Sequence, residues 1–200
     1  MQANRSTPFI DPVGNRHQFL KLAIQPDVMA IVAIECAIEL MNIPVDRVVP
    51  MPHLPPAVRG VYNWRGEILW IVDLAVLLGL GASERDRKLQ PTVVLSSSSQ
   101  ADVGLADRGS QPQSSKKTIG FIVEEIIGIE LCQLDLSSGT LPAPLDSELA
   151  KLVWGVWKSP TGEDCLVLDG SAILDRANIH ADVRWRSLSS GESDLNHFFR

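Results

Sequence analysis

The sequence predicts an all-β protein that contains a few short helices. Its apolar runs are short, and Gly, Pro and Asp residues separate them at close intervals, which is typical of strands and turns. The longest such run, residues 28–34, stops at Glu35, far short of the roughly 20 apolar residues that span a bilayer. With 200 residues, of which 45% are apolar, the chain is long enough for one ordinary domain or two small ones.

Nine segments have the composition of strands, and three shorter ones have a helical pattern. The predicted strands are 18–24, 28–33, 58–63, 68–72, 92–95, 119–123, 126–131, 152–157 and 165–168. The predicted helices are 35–41, 74–78 and 171–176. Many short strands with turns between them favour a small barrel or a sandwich.

Three segments lack the apolar residues that a folded core requires. Residues 1–16 and 187–200 are mostly polar tails, and residues 96–117 form a serine-rich stretch between two predicted strands. Such segments bury too little apolar surface to offset the entropy that is lost on ordering. We therefore expect a disordered N-terminal tail, a folded domain over 17–186 with a mobile insertion at 96–117, and a flexible C-terminal tail.

A short pattern occurs twice in the chain. In each copy a Gly-Glu pair lies seven residues before an Asp, and an apolar pair follows that Asp four and five residues later. We interpret the pattern as a hairpin with glycine at positive φ, a buried strand, and an Asp that caps a short helical turn. Two copies predict two similar β units. The glycine and aspartate positions are Gly60, Gly66 and Asp73 in the first copy, and Gly155, Gly162 and Asp169 in the second.

Charge and cysteine content argue against several classes of function. The formal charge is −6, and residues 118–150 contain six acids but no Lys or Arg, whereas nucleic-acid binding needs clustered cations. Three cysteines without a C-x-x-C pair and four isolated histidines indicate neither a disulfide framework nor a metal site. The polar N-terminus lacks the apolar core of a signal peptide. We expect a cytoplasmic protein without metal or cofactor that binds no nucleic acid.

Signatures of enzymes are also missing from the sequence. It contains no G-x-S-x-G elbow, no phosphate-binding G-x-x-x-x-G-K-[ST] loop and no H-E-x-x-H motif. Glu124 and Glu125 are adjacent in a predicted strand, where their side chains point to opposite faces and cannot act as an acid/base pair. Cys36 as a nucleophile with a distant His and Asp remains an alternative, because such partners meet only in the fold.

Residues 55–79 have the sequence PPAVRGVYNWRGEILWIVDLAVLLG. This segment resembles the CheW family of chemotaxis adaptor proteins. The family pattern is roughly P-x-x-x-x-G-V-x-N-x-R-G-x-h-x-x-h-h-D-h, in which h is apolar, and weaker correspondences extend over about residues 17–176. The matching positions are Gly60, Val61, Asn63, Arg65, Gly66, Ile68, Ile71, Val72, Asp73 and Leu74.

The resemblance implies two small five-stranded SH3-like β-barrels packed together, in agreement with the repeat. It also implies a non-catalytic scaffold that couples a CheA-like chemosensory histidine kinase to the cytoplasmic tips of methyl-accepting receptors. The expected output is motility by chemotaxis, twitching or phototaxis. Such a protein is recruited to membrane-associated receptor arrays without inserting into the membrane. A different class of function is an SH3-like module that binds an unrelated peptide.

The resemblance places partner-binding residues in the first copy of the repeat and just before it. The Arg that matches Arg65 lies near the receptor contact in the family, and Asn63 and Trp64 belong to the same turn. Glu39 and Leu40 match another part of the receptor-facing region. Alternatively, Arg65 hydrogen-bonds carbonyl groups of the turn. Glu39, likewise, is alternatively no more than a solvated residue.

The remaining motif residues are interpreted as residues of the fold. They are Gly60, Gly66, Asp73, Gly155 and Asp169. Trp64 and Trp70 depart from the usual family residues and lie six positions apart across a turn. Either the two rings pack as a cross-strand pair in a barrel wall, or one of them is an exposed anchor for a partner.

Overall fold

A computed structural model describes residues 17–82, 87–97, 117–133 and 149–177, and it confirms the all-β fold. The predicted tails 1–16 and 187–200 lie outside the described residues, as do residues 98–116 of the predicted insertion. The described strands are β1 (His17–Gln25), β2 (Val28–Ala33), β3 (Ala37–Pro44), β4 (Val58–Trp64), β5 (Glu67–Asp73), β6 (Leu89–Ser96), β7 (Thr118–Ile122), β8 (Glu125–Cys132), β9 (Val153–Lys158) and β10 (Asp164–Leu168).

Helical structure is limited to short pieces in the described ranges. The α-helix α1 spans Leu74–Leu77, and residues 170–177 form a second helix, α2. Single turns of 3-10 helix occupy Ile34–Cys36, Val45–Arg47 and Leu149–Leu152. No helix in the described part of the chain is long and apolar enough to cross a membrane.

The strands form two sheets of five. One has the order β3-β6-β7-β5-β4 and the other β8-β1-β2-β10-β9, and we call them barrel I and barrel II. In each sheet the hairpin that carries the sequence repeat, β4–β5 or β9–β10, is antiparallel. The second strand of each hairpin then pairs in parallel with a strand from another part of the chain, β7 or β2. The repeat therefore marks two units with the same strand arrangement.

The two barrels use the chain differently. Barrel I is built from consecutive strands, whereas barrel II takes β1 and β2 from the start of the described chain and β8, β9 and β10 from its end. The segment β1–β2 occupies the place in barrel II that β6–β7 occupies in barrel I. Barrel II is therefore complete only after both ends of the described chain are present.

Apolar side chains form a shared core between the barrels and a smaller core in each. The shared core includes Leu20 and Val32 of barrel II together with Val72, Val93 and Phe121 of barrel I. The core of barrel I centres on Ile43, Leu69, Ile71, Val94 and Ile122, and that of barrel II contains Phe19, Ile31, Cys132, Trp157, Cys165 and Val167. Continuous burial across the sheets makes the two barrels one packed unit.

The prediction of a helix over 35–41 is wrong. After one 3-10 turn the chain continues as β3, which pairs with β6 along its length. The segment is rich in good helix formers (Glu, Ala, Leu and Met), but pairing with β6 satisfies its backbone and buries Ile43. Tertiary pairing thus overrides local propensity. The other two helices and all nine predicted strands are present, with small shifts at their ends.

The predicted insertion begins and ends inside the sheet. Ser96 is buried as the last residue of β6, and its hydroxyl contacts that of Thr118 at 3.3 Å. The Ser97 amide donates to the Lys117 carbonyl at 3.0 Å and thereby extends the ladder between β6 and β7 by one more pair. The ends of the 96–117 segment are therefore part of barrel I rather than of a mobile loop.

Candidate partner-binding site

The turn between β4 and β5 is a two-residue hairpin loop formed by Arg65 and Gly66. Trp64 and Glu67 are the last paired residues, and both loop residues have positive φ, 55° for Arg65 and 86° for Gly66, as type I′ turns require. The Asn63 side chain accepts a hydrogen bond from the Gly66 amide at 3.1 Å. Asn63 thus orders the turn, and Arg65 projects from it with its side chain 71% exposed.

Glu39 of β3 joins this turn through two charge-assisted contacts. Its Oε2 atom lies 2.7 Å from Nη2 of Arg65 and accepts a hydrogen bond from Nε1 of Trp64 at 2.9 Å. The guanidinium carbon of Arg65 also lies 5.2 Å from the centroid of the Trp64 ring, within cation–π range. Glu39, Trp64 and Arg65 therefore form one contact group, which we call the arginine cluster.

Barrel closure brings the arginine cluster together. β3 and β4 are the opposite edge strands of the barrel I sheet, so a flat sheet would keep Glu39 far from the hairpin. The twist and curvature of the sheet bring its two edges together, and Glu39 then meets Trp64 and Arg65. The side chain of Glu39 is only 26% exposed, so it is not merely a solvated residue.

Leu40 lies on the other face of β3 from the arginine cluster. Successive strand residues alternate in direction, and the odd-numbered Met41 and Ile43 pack on the core of barrel I with Glu39 on the same face. Leu40 is 46% exposed and pairs with Val93, which belongs to the core between the barrels. Four of the five predicted partner-binding residues therefore lie in or beside the β4–β5 turn, whereas Leu40 lies on the opposite face of β3.

Trp64 and Trp70 do not form a cross-strand pair. Trp64 is paired with Glu67 and packs against the core of barrel I. Trp70 is paired with Val61 and packs against the shared core between the barrels. The hairpin alternates the direction of its side chains, so the two rings point to opposite faces of the sheet. Neither ring is an exposed anchor, since both are partly buried.

The glycines of the repeat occupy different kinds of position. Gly60 has φ 144°, and a Cβ atom at this site would lie 2.2 Å from the carbonyl oxygen of Val49. Gly66 and Gly162 have positive φ in their turns, with no neighbouring atom within 4 Å of an added Cβ. Gly155 lies within β9, where it pairs with Val167. Gly60 is therefore required by the close approach of another backbone segment.

Asp73 and Asp169 have the same local role in the two barrels. One oxygen of Asp73 accepts from the Val76 amide at 3.2 Å, and the other accepts from Arg59 at 2.8 Å. One oxygen of Asp169 accepts from the Ala172 amide at 3.0 Å, and the other accepts from the Trp154 indole at 2.8 Å. Each aspartate therefore caps a helix and ties it to the first strand of its hairpin.

An exposed apolar row on β8 was not predicted as a functional feature. Ile127, Ile129 and Leu131 are 46%, 60% and 57% exposed. Residues 126, 127, 129 and 131 are all apolar, so the sequence alone could not show which of them face outward. Ile129 pairs with Leu20, which lies in the core between the barrels, just as Leu40 pairs with Val93. Both edge strands therefore extend the apolar surface of that core outward.

Cys36 does not have the properties of a nucleophile. Burial raises the pKa of its thiol, and the nearby carboxylates of Glu35 and Asp169 raise it further. A cysteine is reactive as its thiolate, so a raised pKa leaves Cys36 protonated at neutral pH. No three His, Cys, Asp or Glu side chains within the described ranges come together as a metal site.

Comparison with known proteins agrees with this architecture. The sequence profile of the CheW-like domain matches residues 28–178, which is most of the chain. The structure is similar to that of the scaffolding protein TtCheW from Thermoanaerobacter tengcongensis, with a TM-score of 0.57 and 14% identity. That match covers 84% of this chain and 90% of the other. No curated protein sequence matches. The likeness in structure shows the fold, and the profile match shows that this chain belongs to the family of CheW-like domain proteins.

Proposed function

We propose that this protein is a non-catalytic adaptor that couples a chemosensory histidine kinase to the cytoplasmic tips of methyl-accepting receptors. It acts in the cytoplasm at membrane-associated receptor arrays and controls motility by chemotaxis, twitching or phototaxis. Membership in the CheW-like family and the similarity to a scaffolding protein support an adaptor.

The observation that carries the proposal is the exposed apolar surface at the edges of both barrels. Leu40 of β3 and the row Ile127, Ile129 and Leu131 of β8 are each about half exposed or more. Strand β8 lies against β6, the neighbour of β3, so the two edges flank the same side of the shared core. A helical receptor tip with an apolar face could bury this surface.

The arginine cluster adds a polar contact beside that surface. Arg65 is exposed, and its fork offers N–H donors that are not engaged with Glu39. Arginine on a rigid turn loses little further entropy when it binds. We therefore propose that Arg65 of the β4–β5 turn and Leu40 of β3 both contribute to receptor binding.

Co-purification tests the proposal directly. The purified chain is mixed with a histidine kinase that carries its own CheW-like domain, and separately with a receptor cytoplasmic fragment, both from the source organism. We expect both to be retained. Retention of neither would refute the adaptor function, and retention of an unrelated peptide partner alone would favour a general SH3-like binding module.

Substitution of Leu40 by Asp identifies the surface. Burying a carboxylate in an apolar contact is unfavourable, so Leu40→Asp should weaken receptor binding by about tenfold or more. Leu89→Asp is the matched control, because Leu89 is also an exposed leucine of barrel I, 53% exposed, at the far end of the β3–β6 pairing. Equal weakening by both variants would show that this surface is not the receptor contact.

A further inference from the structure

The Trp64 indole contacts both members of the Glu39–Arg65 ion pair. Its Nε1 atom donates to Oε2 of Glu39 at 2.9 Å, and the same oxygen lies 2.7 Å from Nη2 of Arg65. The guanidinium carbon lies 5.2 Å from the ring centroid. The exposed Arg65 side chain is thus held on one side by a carboxylate and on another by an aromatic face.

This arrangement is unusual for an exposed arginine on a hairpin tip. Such a side chain ordinarily samples many rotamers, and an isolated surface ion pair does little to restrict it. Here Trp64 is itself anchored, because its ring packs on the core of barrel I. Because the core of barrel I holds the Trp64 ring, the indole in turn restricts the positions of the Glu39 carboxylate and the Arg65 guanidinium.

The indole bond also decides whether Glu39 is a permanent partner of Arg65 or one that a ligand can replace. If a partner carboxylate displaced Glu39, the N–H of the partly buried Trp64 would lose its acceptor at a cost. The Trp64 bond therefore favours a Glu39 carboxylate that stays in place. Its negative charge then offsets the positive charge of Arg65, while other N–H groups of the fork remain available.

We propose that Trp64 is a positioning residue for partner recognition. It fixes the Glu39–Arg65 pair, so the remaining N–H groups of Arg65 point in one orientation. Because the Glu39 carboxylate offsets the charge of Arg65, these N–H groups suit uncharged carbonyl oxygens of the partner. The inference rests on the proposed function for the identity of the partner, the receptor fragment. The ordering of Arg65 by Trp64 can be tested without any partner.

The partner-free test uses the Arg65 Nε–Hε group as a probe of side-chain order. Nitrogen-15 relaxation is measured in the wild-type protein and in Trp64→Phe, which keeps an aromatic ring but removes the donor. Trp154→Phe is the matched control, because Trp154 makes the same kind of indole–carboxylate bond, at 2.8 Å to Asp169, in barrel II. We expect an ordered Arg65 signal in the wild type and in Trp154→Phe, and a mobile one in Trp64→Phe. An ordered signal in Trp64→Phe overturns the inference.

A second measurement covers the case in which Trp64→Phe does not fold. The Trp64 indole N–H of the wild-type protein should exchange with solvent at least about tenfold more slowly than that of an exposed tryptophan, because it is bonded and partly buried. Exchange at the rate of an exposed indole would overturn the inference. Neither measurement involves the receptor or the kinase, so each stands even if the adaptor function is refuted.

Binding to the receptor fragment tests the chemistry of recognition. Trp64→Phe should weaken binding by about fivefold, because Arg65 must then lose more rotamer freedom on docking, whereas Trp154→Phe should leave affinity unchanged. Glu39→Gln should also weaken binding, since it loosens Arg65. Tighter binding by Glu39→Gln would overturn the inference, because it would show that Arg65 recognises a partner carboxylate with which Glu39 competes.

Discussion

At the scale of single residues, Arg65 combines an unfavourable backbone with an exposed side chain. Its φ of 55° lies in the left-handed region, where a residue other than glycine, Asn or Asp is held at a cost of about 1–2 kcal/mol. Asn-Gly is the preferred pair for such a turn, and Arg-Gly is not. The ion pair with Glu39 offsets at most about 1 kcal/mol, because Arg65 is mostly exposed. A local cost without a matching local gain is typical of functional positions.

Arg65→Asn separates stability from binding. Asn suits the turn better than Arg, so the loss of the ion pair is offset and the free energy of unfolding should change by less than about 1 kcal/mol. Receptor binding should fall by about tenfold or more. Urea unfolding and binding to the receptor fragment measure the two effects. A loss of stability above about 2 kcal/mol would show that Arg65 serves mainly the fold.

Gly60→Ala should be far more damaging than Gly66→Ala. Gly60 has φ 144° and approaches the Val49 carbonyl, so an added Cβ forces backbone to move and should cost about 3 kcal/mol or more. Gly66 has φ 86° but open space around it, so only the backbone preference is lost, about 1 kcal/mol. Urea unfolding of both variants makes the comparison. Equal losses would mean that the Val49 contact is not the constraint.

At the scale of elements, a capping aspartate links each helix to its hairpin. The Asp73 side chain is 3% exposed and that of its partner Arg59 is 42% exposed, whereas Asp169 pairs with the indole of Trp154. In addition, the amide of Asp73 donates to Ala57, and that of Asp169 donates to Leu152. In both barrels an aspartate is therefore bonded to the first strand of its hairpin, and the side-chain donor is Arg59 in barrel I and Trp154 in barrel II. The aspartate that occurs in both copies of the sequence repeat is this capping residue.

Alanine at either cap should destabilise the protein by similar amounts. Asp73→Ala and Asp169→Ala each remove a helix cap and a second side-chain bond, and we expect about 2 kcal/mol from each. Asp175→Ala is the control, because its bond to Lys117 joins two well-exposed side chains and should contribute less than about 0.5 kcal/mol. Chemical unfolding monitored by circular dichroism provides the values. A cap variant as stable as Asp175→Ala would refute the equivalence of the two barrels at this position.

At the scale of the whole molecule, a buried lysine joins distant parts of barrel II. The Lys21 side chain on β1 is 7% exposed and lies 3.2 Å from Glu130 of β8 and 2.9 Å from Glu163, which precedes β10. The bond to Glu163 raises the pKa of Lys21 despite burial, and Lys21 lowers the pKa of Glu163. Segments from both ends of the described chain therefore meet at one ammonium group.

The stability of the protein should decrease in acid partly through Glu163. Its pKa is lower in the folded than in the unfolded protein, so its contribution is present above the ordinary carboxyl pKa and is lost as pH falls through the folded value. The raised pKa of Lys21 acts in the other direction, and its contribution is lost only as pH rises above 10.5. Between these limits both contributions are complete.

Thermal unfolding from pH 3 to pH 7 tests this expectation in wild type and Glu163→Gln. The variant should show a shallower loss of stability below about pH 5. Removing both carboxylates, in Glu130→Gln with Glu163→Gln, should lower the free energy of unfolding at pH 7, because Lys21 is left buried without a counter-charge. Lys21→Met should stay within about 1 kcal/mol of the wild type. An unchanged pH slope in Glu163→Gln would refute the coupling.

The all-β class, the two related units and the family can be predicted from the sequence. Strand and turn composition is local, and the spacing from Gly66 to Asp73 reports a local hairpin and cap, so such features can be predicted from one segment at a time. The turn that presents Arg65 is local in the same way, because Asn63 and Gly66 shape it directly.

How these segments meet depends on tertiary contacts. β3 is a strand because β6 pairs with it, although its residues favour a helix. Glu39 reaches Arg65 because the sheet curves until its edges approach, and Leu40 falls on the opposite face because strand residues alternate. The outward direction of the β8 row follows from which face of that strand the shared core covers. Each of these facts depends on contacts between residues far apart in the chain, and such contacts leave no signal within one short segment.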